Sequence, residues 1–168
     1  IIKRNKMKTF ISSFIFSVLS LKGTLVLSEK NVLGGELEKC SRSGMAMTGY
    51  TRDGKCADIP GDMGSHHICI DLSSTKGGNF CTVTGQPDWC SENSTCDGNP
   101  EEECPIEHWC VCQWAFARYI QKAGGCNNIQ TIECEAINVE AIKAYEMYQE
   151  EDIEIKNALN CINERCIK

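Results

Sequence analysis

His66-His67-Ile68-Cys69-Ile70-Asp71-Leu72 is the stretch that decides the fold. Ile68, Ile70 and Leu72 alternate with His67, Cys69 and Asp71, so the segment reads as a half-buried strand. Upstream, from Asn31 to Leu72, Gly34-Gly35, Asp53-Gly54 and Pro60-Gly61-Asp62 mark turns between loops and short strands. Downstream, Phe80 to Thr84 is a second strand candidate. Gly85 to Pro105 is polar and rich in Cys, Asn, Gly and acid, and reads as a long surface loop pinned by Cys90, Cys96 and Cys104.

Helical signals dominate the rest. Trp109, Cys112, Phe116, Tyr119, Ile120 and Ala123 share one stripe, and Gly124-Gly125 stops that helix. Ile129 to Ile137 reads as a strand. Asn138 can cap a helix carrying Val139, Ile142, Tyr145 and Tyr148, and a last helix over Ile153 to Arg165 presents Ile155, Leu159 and Ile162. The expected fold is α+β: one compact, disulfide-rich domain of short strands and about three helices.

The 13 cysteines are Cys40, Cys56, Cys69, Cys81, Cys90, Cys96, Cys104, Cys110, Cys112, Cys126, Cys134, Cys161 and Cys166. Ahead of them Phe10 to Leu21 (FISSFIFSVLSL) is apolar, follows Lys8, and is shorter than a membrane span. With Met7 as the start and residues 1 to 6 as an upstream remnant, residues 7–28 read as a signal peptide cleaved after Ser28. Residues 29–168 are then the mature domain, secreted or held in the secretory lumen and without a membrane segment. In that oxidising setting the cysteines are all disulfide candidates. Their number is odd, so at least one is free, metal-bound or paired with another chain. The sequence leaves the connectivity open.

Residues 1–28 hold five of the 17 basic residues and none of the 23 acidic ones. The mature chain would therefore be strongly acidic, with a formal charge of −11. Such a chain is repelled by nucleic acid and by anionic membranes. The acidic runs at Glu101-Glu102-Glu103 and Glu150-Glu151-Asp152 read as solvated faces. Asn93-Ser94-Thr95 is a glycosylation sequon at Asn93, making a glycoprotein an expectation.

His66, Cys69, Cys110 and Cys112 are the candidate metal ligands, a Cys3His set suited to zinc. Against it, Cys110 and Cys112 on a helix would point about 200° apart. They would converge only if Trp109 to Cys112 is extended or irregular. The competing expectation is structural disulfides and no cofactor. A thiol-redox pair is the other chemical option, although no C-x-x-C occurs. No G-x-S-x-G or phosphate-binding glycine loop is present, and no catalytic residue is identified. Asp71 near His67 is a candidate His–Asp pair. His67 and His108 otherwise read as hydrogen-bonding structural residues. Trp109, Trp114, Phe116 and Tyr119 read as core, and Trp89 as an exposed contact.

Four groups of residues carry a family resemblance. They are Asn31-Val32-Leu33-Gly34-Gly35 with Cys40; Thr48-Gly49-Tyr50-Thr51-Arg52-Asp53-Gly54-Lys55-Cys56; Gly64-Ser65-His66-His67-Ile68-Cys69; and Trp109-Cys110-Val111-Cys112. Together they resemble the uncharacterised family known as domain of unknown function 2237, over roughly Asn31 to Tyr148. The resemblance implies a compact α+β domain and no established activity. It places Cys40, Cys56, Cys69, Cys110 and Cys112 on the family pattern. The other eight are implied additions of a secreted, cysteine-rich eukaryotic-type branch, an even number that suits four bridges. Many members have a Thr-His pair near the helix start at Asn138, where this chain has Ala136-Ile137.

Two functions are expected. The first is a non-catalytic binding or structural module that meets a protein or small-molecule partner through the loop containing Trp89. The second is a thiol-redox or metal protein built on His66, Cys69, Cys110 and Cys112.

Overall fold

The computed structural model describes residues 29–168. The expected signal peptide over residues 7–28 lies outside the described residues. Strand β1 (Ile68–Asp71) is the middle of a three-stranded antiparallel sheet in the order β4-β1-β5, with β4 at His108–Val111 and β5 at Thr131–Ile132. The register places Ile68 opposite Val111, Cys69 opposite Cys110, Ile70 opposite Trp109 and Asp71 opposite His108.

Alternation gives this sheet two different faces. Ile68 and Ile70 enter the main core, with Phe80, Phe116, Tyr119, Ile120, Tyr145 and Ile162 buried in the same cluster. Cys69 and Cys110 sit on the opposite face, in a small second cluster with Cys40, Cys56 and Ala136. There two bridges, Cys40–Cys69 and Cys56–Cys110, fasten the irregular N-terminal segment to neighbouring positions of β1 and β4. The remaining bridges are Cys81–Cys90, Cys96–Cys104, Cys126–Cys161 and Cys134–Cys166, and Cys112 is left unpaired. The protein is thus an α+β, disulfide-rich domain.

Several elements differ from the sequence expectation. Phe80–Thr84 is a short helix, α1, not a strand. Asn79 accepts from the Thr82 amide and Gly85 closes the helix in the left-handed region at φ 75°. Two caps thereby outweigh the β-branched Thr82, Val83 and Thr84. The supposed loop contains a hairpin, β2 (Asn93–Cys96) with β3 (Asn99–Pro105), irregular between Thr95 and Cys96 and stapled by Cys96–Cys104. Glu101, Glu102 and Glu103 are exposed, so the hairpin carries no apolar alternation to betray it.

The helical stripe from Trp109 covers two elements. β4 ends at Val111, Cys112 takes the N-cap position, and α2 runs over Gln113–Ala123 to the left-handed Gly124. Of the expected strand over residues 129–137, only Thr131 and Ile132 pair with β1 before the chain tightens into a 3-10 turn at Cys134–Ala136. The Asn138 side chain caps α3 (Val139–Tyr148) by accepting from the Glu140 amide, as expected. Asp152 caps α4 (Ile153–Ile162), which relaxes into a π-turn over Asn163–Ile167, so the last α-helix stops short of Arg165. Among the described residues no helix is long and apolar enough to cross a membrane.

Candidate ligand cleft

A cavity of about 400 Å³ opens beside β4, the edge strand of the sheet. That volume lies within the range of small-molecule sites. Phe80, Trp89, Ile106 and Trp109 form apolar walls, and Arg52, His66, Gln86, Glu92 and Cys112 bring polar atoms to it. A smaller cavity of about 140 Å³ adjoins it, sharing Arg52, His66, Trp109 and Cys110 and adding Gly49 and Tyr50.

The Arg52 loop is built tightly. The Arg52 amide donates to the Gly49 carbonyl at 3.1 Å and the Gly54 amide to the Thr48 carbonyl at 3.0 Å. Gly49 has φ 91°, and a Cβ there would collide with the Lys55 carbonyl. The buried Thr48 hydroxyl accepts from the Cys110 amide at 2.8 Å, and Cys56 at the far end of the loop is bridged to Cys110. These ties hold the Arg52 guanidinium over the Trp109 ring, 4.7 Å from its centroid, a cation–π contact. Among the described residues Arg52 has no carboxylate partner and no side-chain hydrogen bond.

His66 is placed by Asp62. The Asp62 side chain is only 2% exposed and its Oδ1 lies 2.7 Å from His66 Nδ1. Its oxygens also accept from the Gly64 amide at 3.0 Å and the His66 amide at 2.8 Å. Burial alone would raise the Asp62 pKa; the backbone and imidazole bonds from His66, its charge and the Gly64 amide outweigh it and hold the carboxyl below its ordinary value. With Nδ1 turned to Asp62, Nε2 is the imidazole nitrogen left for a ligand. The ring stacks on Tyr50, centroids 6.5 Å apart. Gly64 has no side chain because a Cβ would run into that imidazole.

Arg52 and Ser65 are the two non-glycine residues with positive φ, at 56° and 46°, among the described residues. Both lie in the loops that deliver the Arg52 and His66 side chains to the cleft. Backbone strain concentrated there is the usual mark of a functional surface.

Two of the four expected metal ligands are engaged elsewhere in this structure. Cys69 and Cys110 spend their sulfurs in disulfides with Cys40 and Cys56, and an oxidised sulfur is no thiolate ligand. His66 and Cys112 do line the same cavity. The His67–Asp71 pair is also absent. The two residues lie four apart along the chain, roughly 13 Å in extended backbone. His67 instead places Nδ1 2.9 Å from Gln113 Oε1 and Nε2 3.3 Å from the Asp58 carboxylate, at an angle that forms no hydrogen bond.

Trp89 is not a freely exposed contact. It is half-buried, donates its indole N–H to Gln86 at 3.2 Å, and packs against Phe80 and Trp109. Trp109 is a cavity wall rather than sealed core. Phe116 and Tyr119 are fully buried as expected, while Trp114 is half-buried against Tyr145 and Tyr148. Asn93 is exposed on β2. Arg52 and Asp62 were missed in the sequence. For Asp62 a signal existed, since a turn aspartate four residues before a histidine can reach its ring.

The fold and cleft define a small disulfide-rich α+β domain with a preformed cavity. The chain belongs to the family described as "Uncharacterized protein conserved in bacteria (DUF2237)", which matches residues 30–151. Every cleft residue falls within that match, whereas Cys161 and Cys166 lie beyond it. A comparison with curated proteins gave no match.

Proposed function

We propose that the protein is a secreted, non-catalytic binding module whose ligand is a small organic anion with a flat apolar body. The observation that carries this is the Arg52 guanidinium, spread over Trp109 and, among the described residues, free of any carboxylate partner at the mouth of an aromatic-walled cavity. Arginine in that position offers planar, paired donors to a carboxylate or related anion. Trp89, Trp109 and Phe80 supply the apolar surface. Six disulfides support an oxidising compartment, which fits the expected secretion signal. N-terminal sequencing of protein from expression medium should begin near Glu29.

The binding claim is tested by calorimetric titration of the disulfide-intact protein with 2-naphthoate and with its neutral analogue 2-naphthol. The indole N–H signals of Trp89 and Trp109 are followed in parallel. Naphthoate should bind at least about tenfold more tightly, equal to about 1.4 kcal/mol. Arg52→Ala should erase the difference. Equal affinity for both probes, or no loss on Arg52→Ala, would refute it.

A thiol reading stands second, because unpaired Cys112 lines the same cavity as His66. It requires native Cys112 to exchange with a small aromatic disulfide. A thiol that reacts only after unfolding removes it.

A further inference from the structure

A second constellation lies on the cysteine face of the sheet. One ligand-capable atom each from Asp71, His108 and Glu133 falls within 4.8 Å of the other two. We infer that these three residues form a binding site for a divalent transition-metal ion, with Zn²⁺ the best match to one imidazole and two carboxylates.

The sheet itself brings them together. Asp71 and His108 are directly paired residues of β1 and β4. Glu133 follows β5, the other neighbour of β1, and its amide donates to the Cys69 carbonyl at 3.1 Å. Three adjacent backbones therefore set the ligand spacing, a more rigid frame than a loop provides.

The orientation of His108 is the decisive detail. Its Nδ1 lies 3.0 Å from the Cys40 carbonyl oxygen. A carbonyl only accepts, so Nδ1 carries the hydrogen and Nε2 is the nitrogen that faces the two acids. A backbone carbonyl on one nitrogen is how metal-binding histidines are commonly oriented. Nε2 stands 3.8 Å from Asp71 Oδ1, too far for a hydrogen bond, on a side chain 8% exposed. A second imidazole nitrogen with no hydrogen bond, on a largely buried side chain and facing two carboxylates, is an arrangement that a cation between them would complete.

The two carboxylates differ in how free they are to complete the site. Asp71 Oδ1 already accepts from the Ser73 amide and hydroxyl and from the Ser74 amide, which leaves Oδ2 as its less engaged oxygen for a cation. Among the described residues the Glu133 carboxylate is tied only to Arg42, at 3.4 Å, and the Arg42 side chain is 63% exposed and easily displaced. Tetrahedral zinc at ~2.1 Å needs ligand atoms roughly 3.4 Å apart, so the half-exposed Glu133 must close inward slightly. Three protein ligands then leave a fourth position for water or a bound anion.

The test is calorimetric titration of the disulfide-intact protein with ZnCl₂, with imidazole NMR shifts read at all three histidines. One Zn²⁺ per chain should bind and shift His108 while leaving His66 and His67 in place. Glu133→Gln keeps the side-chain shape and should weaken binding by more than the roughly tenfold typical of losing a supporting contact. His108→Gln should abolish binding, and the milder Glu133 variant decides the matter if His108→Gln fails to fold. Absence of 1:1 uptake, wild-type affinity in Glu133→Gln, or a shift at His66 instead of His108 would each overturn the assignment.

Discussion

Removing the Cys56–Cys110 bridge as a Cys56→Ala/Cys110→Ala pair should cost far more stability than removing Cys96–Cys104 the same way. The reason is the length of chain each one closes. The first spans a sequence separation of 54 residues and the second 8. Cys81–Cys90 and Cys96–Cys104 lie inside the larger loop and shorten it to roughly 37 residues, so loop-closure entropy gives about 3.8 kcal/mol for the first and about 2.5 kcal/mol for the second. The neighbouring Cys40–Cys69 bridge offers no further shortcut, because the route back from Cys56 to Cys40 and on from Cys69 to Cys110 is no shorter. Packing acts in the same direction, since Cys56 and Cys110 are buried on the small core face while Cys104 is half-exposed. The assay is urea unfolding without reductant, with intact mass after alkylation confirming five remaining bridges and one thiol. A gap of about 1.3 kcal/mol between the variants is expected, roughly 4 °C in midpoint for a domain of this size. A hairpin variant that loses as much as the Cys56/Cys110 variant would refute the ordering by loop closure.

Asp62 should titrate below its ordinary value of 3.8. Its contribution to stability is therefore fully present above that value and is lost as pH falls through the lower folded pKa; a carboxyl carbon NMR titration with a midpoint above 3.8 contradicts the His66 anchor. Gly64→Ala should push the His66 ring off its seat, move the Tyr50 and His66 ring resonances, and cost about 1–3 kcal/mol as an overpacking change; unchanged ring shifts would count against it. Asn138→Ala should cost more than the ~1 kcal/mol of an ordinary N-cap, because the same side chain also donates to the Cys56 carbonyl at 3.1 Å and to Glu29 at 2.6 Å. A loss below about 0.5 kcal/mol in urea unfolding would show that those bonds contribute nothing.

Legibility followed the strength of the local signal. β1 and the caps at Asn138 and Gly124 could be read because alternation and cap chemistry act over a few residues. β4 could not: Trp109 and Val111 sit at helix-compatible spacing with the residues that follow, and only pairing with β1 decides for strand. The β2–β3 hairpin is polar on both faces, so a disulfide and its register define it rather than hydrophobic pattern. The cleft was legible only piecewise. His66 and Trp89 were marked, but Arg52 owes its place to a left-handed backbone and two ties to β4 that no spacing encodes. The Asp71–His108–Glu133 cluster joins β1, β4 and the residue after β5, far apart in sequence, and was out of reach for the same reason.

The parity of the cysteines bears on where chemistry is available. Cys40, Cys56, Cys69, Cys110 and Cys112, the five carried by the motif resemblance, pair only among themselves and leave one over. The other eight close four bridges among themselves. The odd thiol is therefore a property of the motif set, and the four further bridges neither create nor consume it. Cys112 follows β4 and takes the N-cap position of α2, and the Gln113 amide next to it donates to the Ser65 carbonyl beside His66. The two backbone segments bearing the free thiol and the Asp62-held imidazole are thus joined by one hydrogen bond at the wall of one cavity. Arg52 and Cys112 line the same cavity. A carboxylate ligand with a thiol-reactive carbon should accordingly label Cys112 faster than its neutral amide does, and Arg52→Ala should remove that preference while leaving the rate for the amide unchanged.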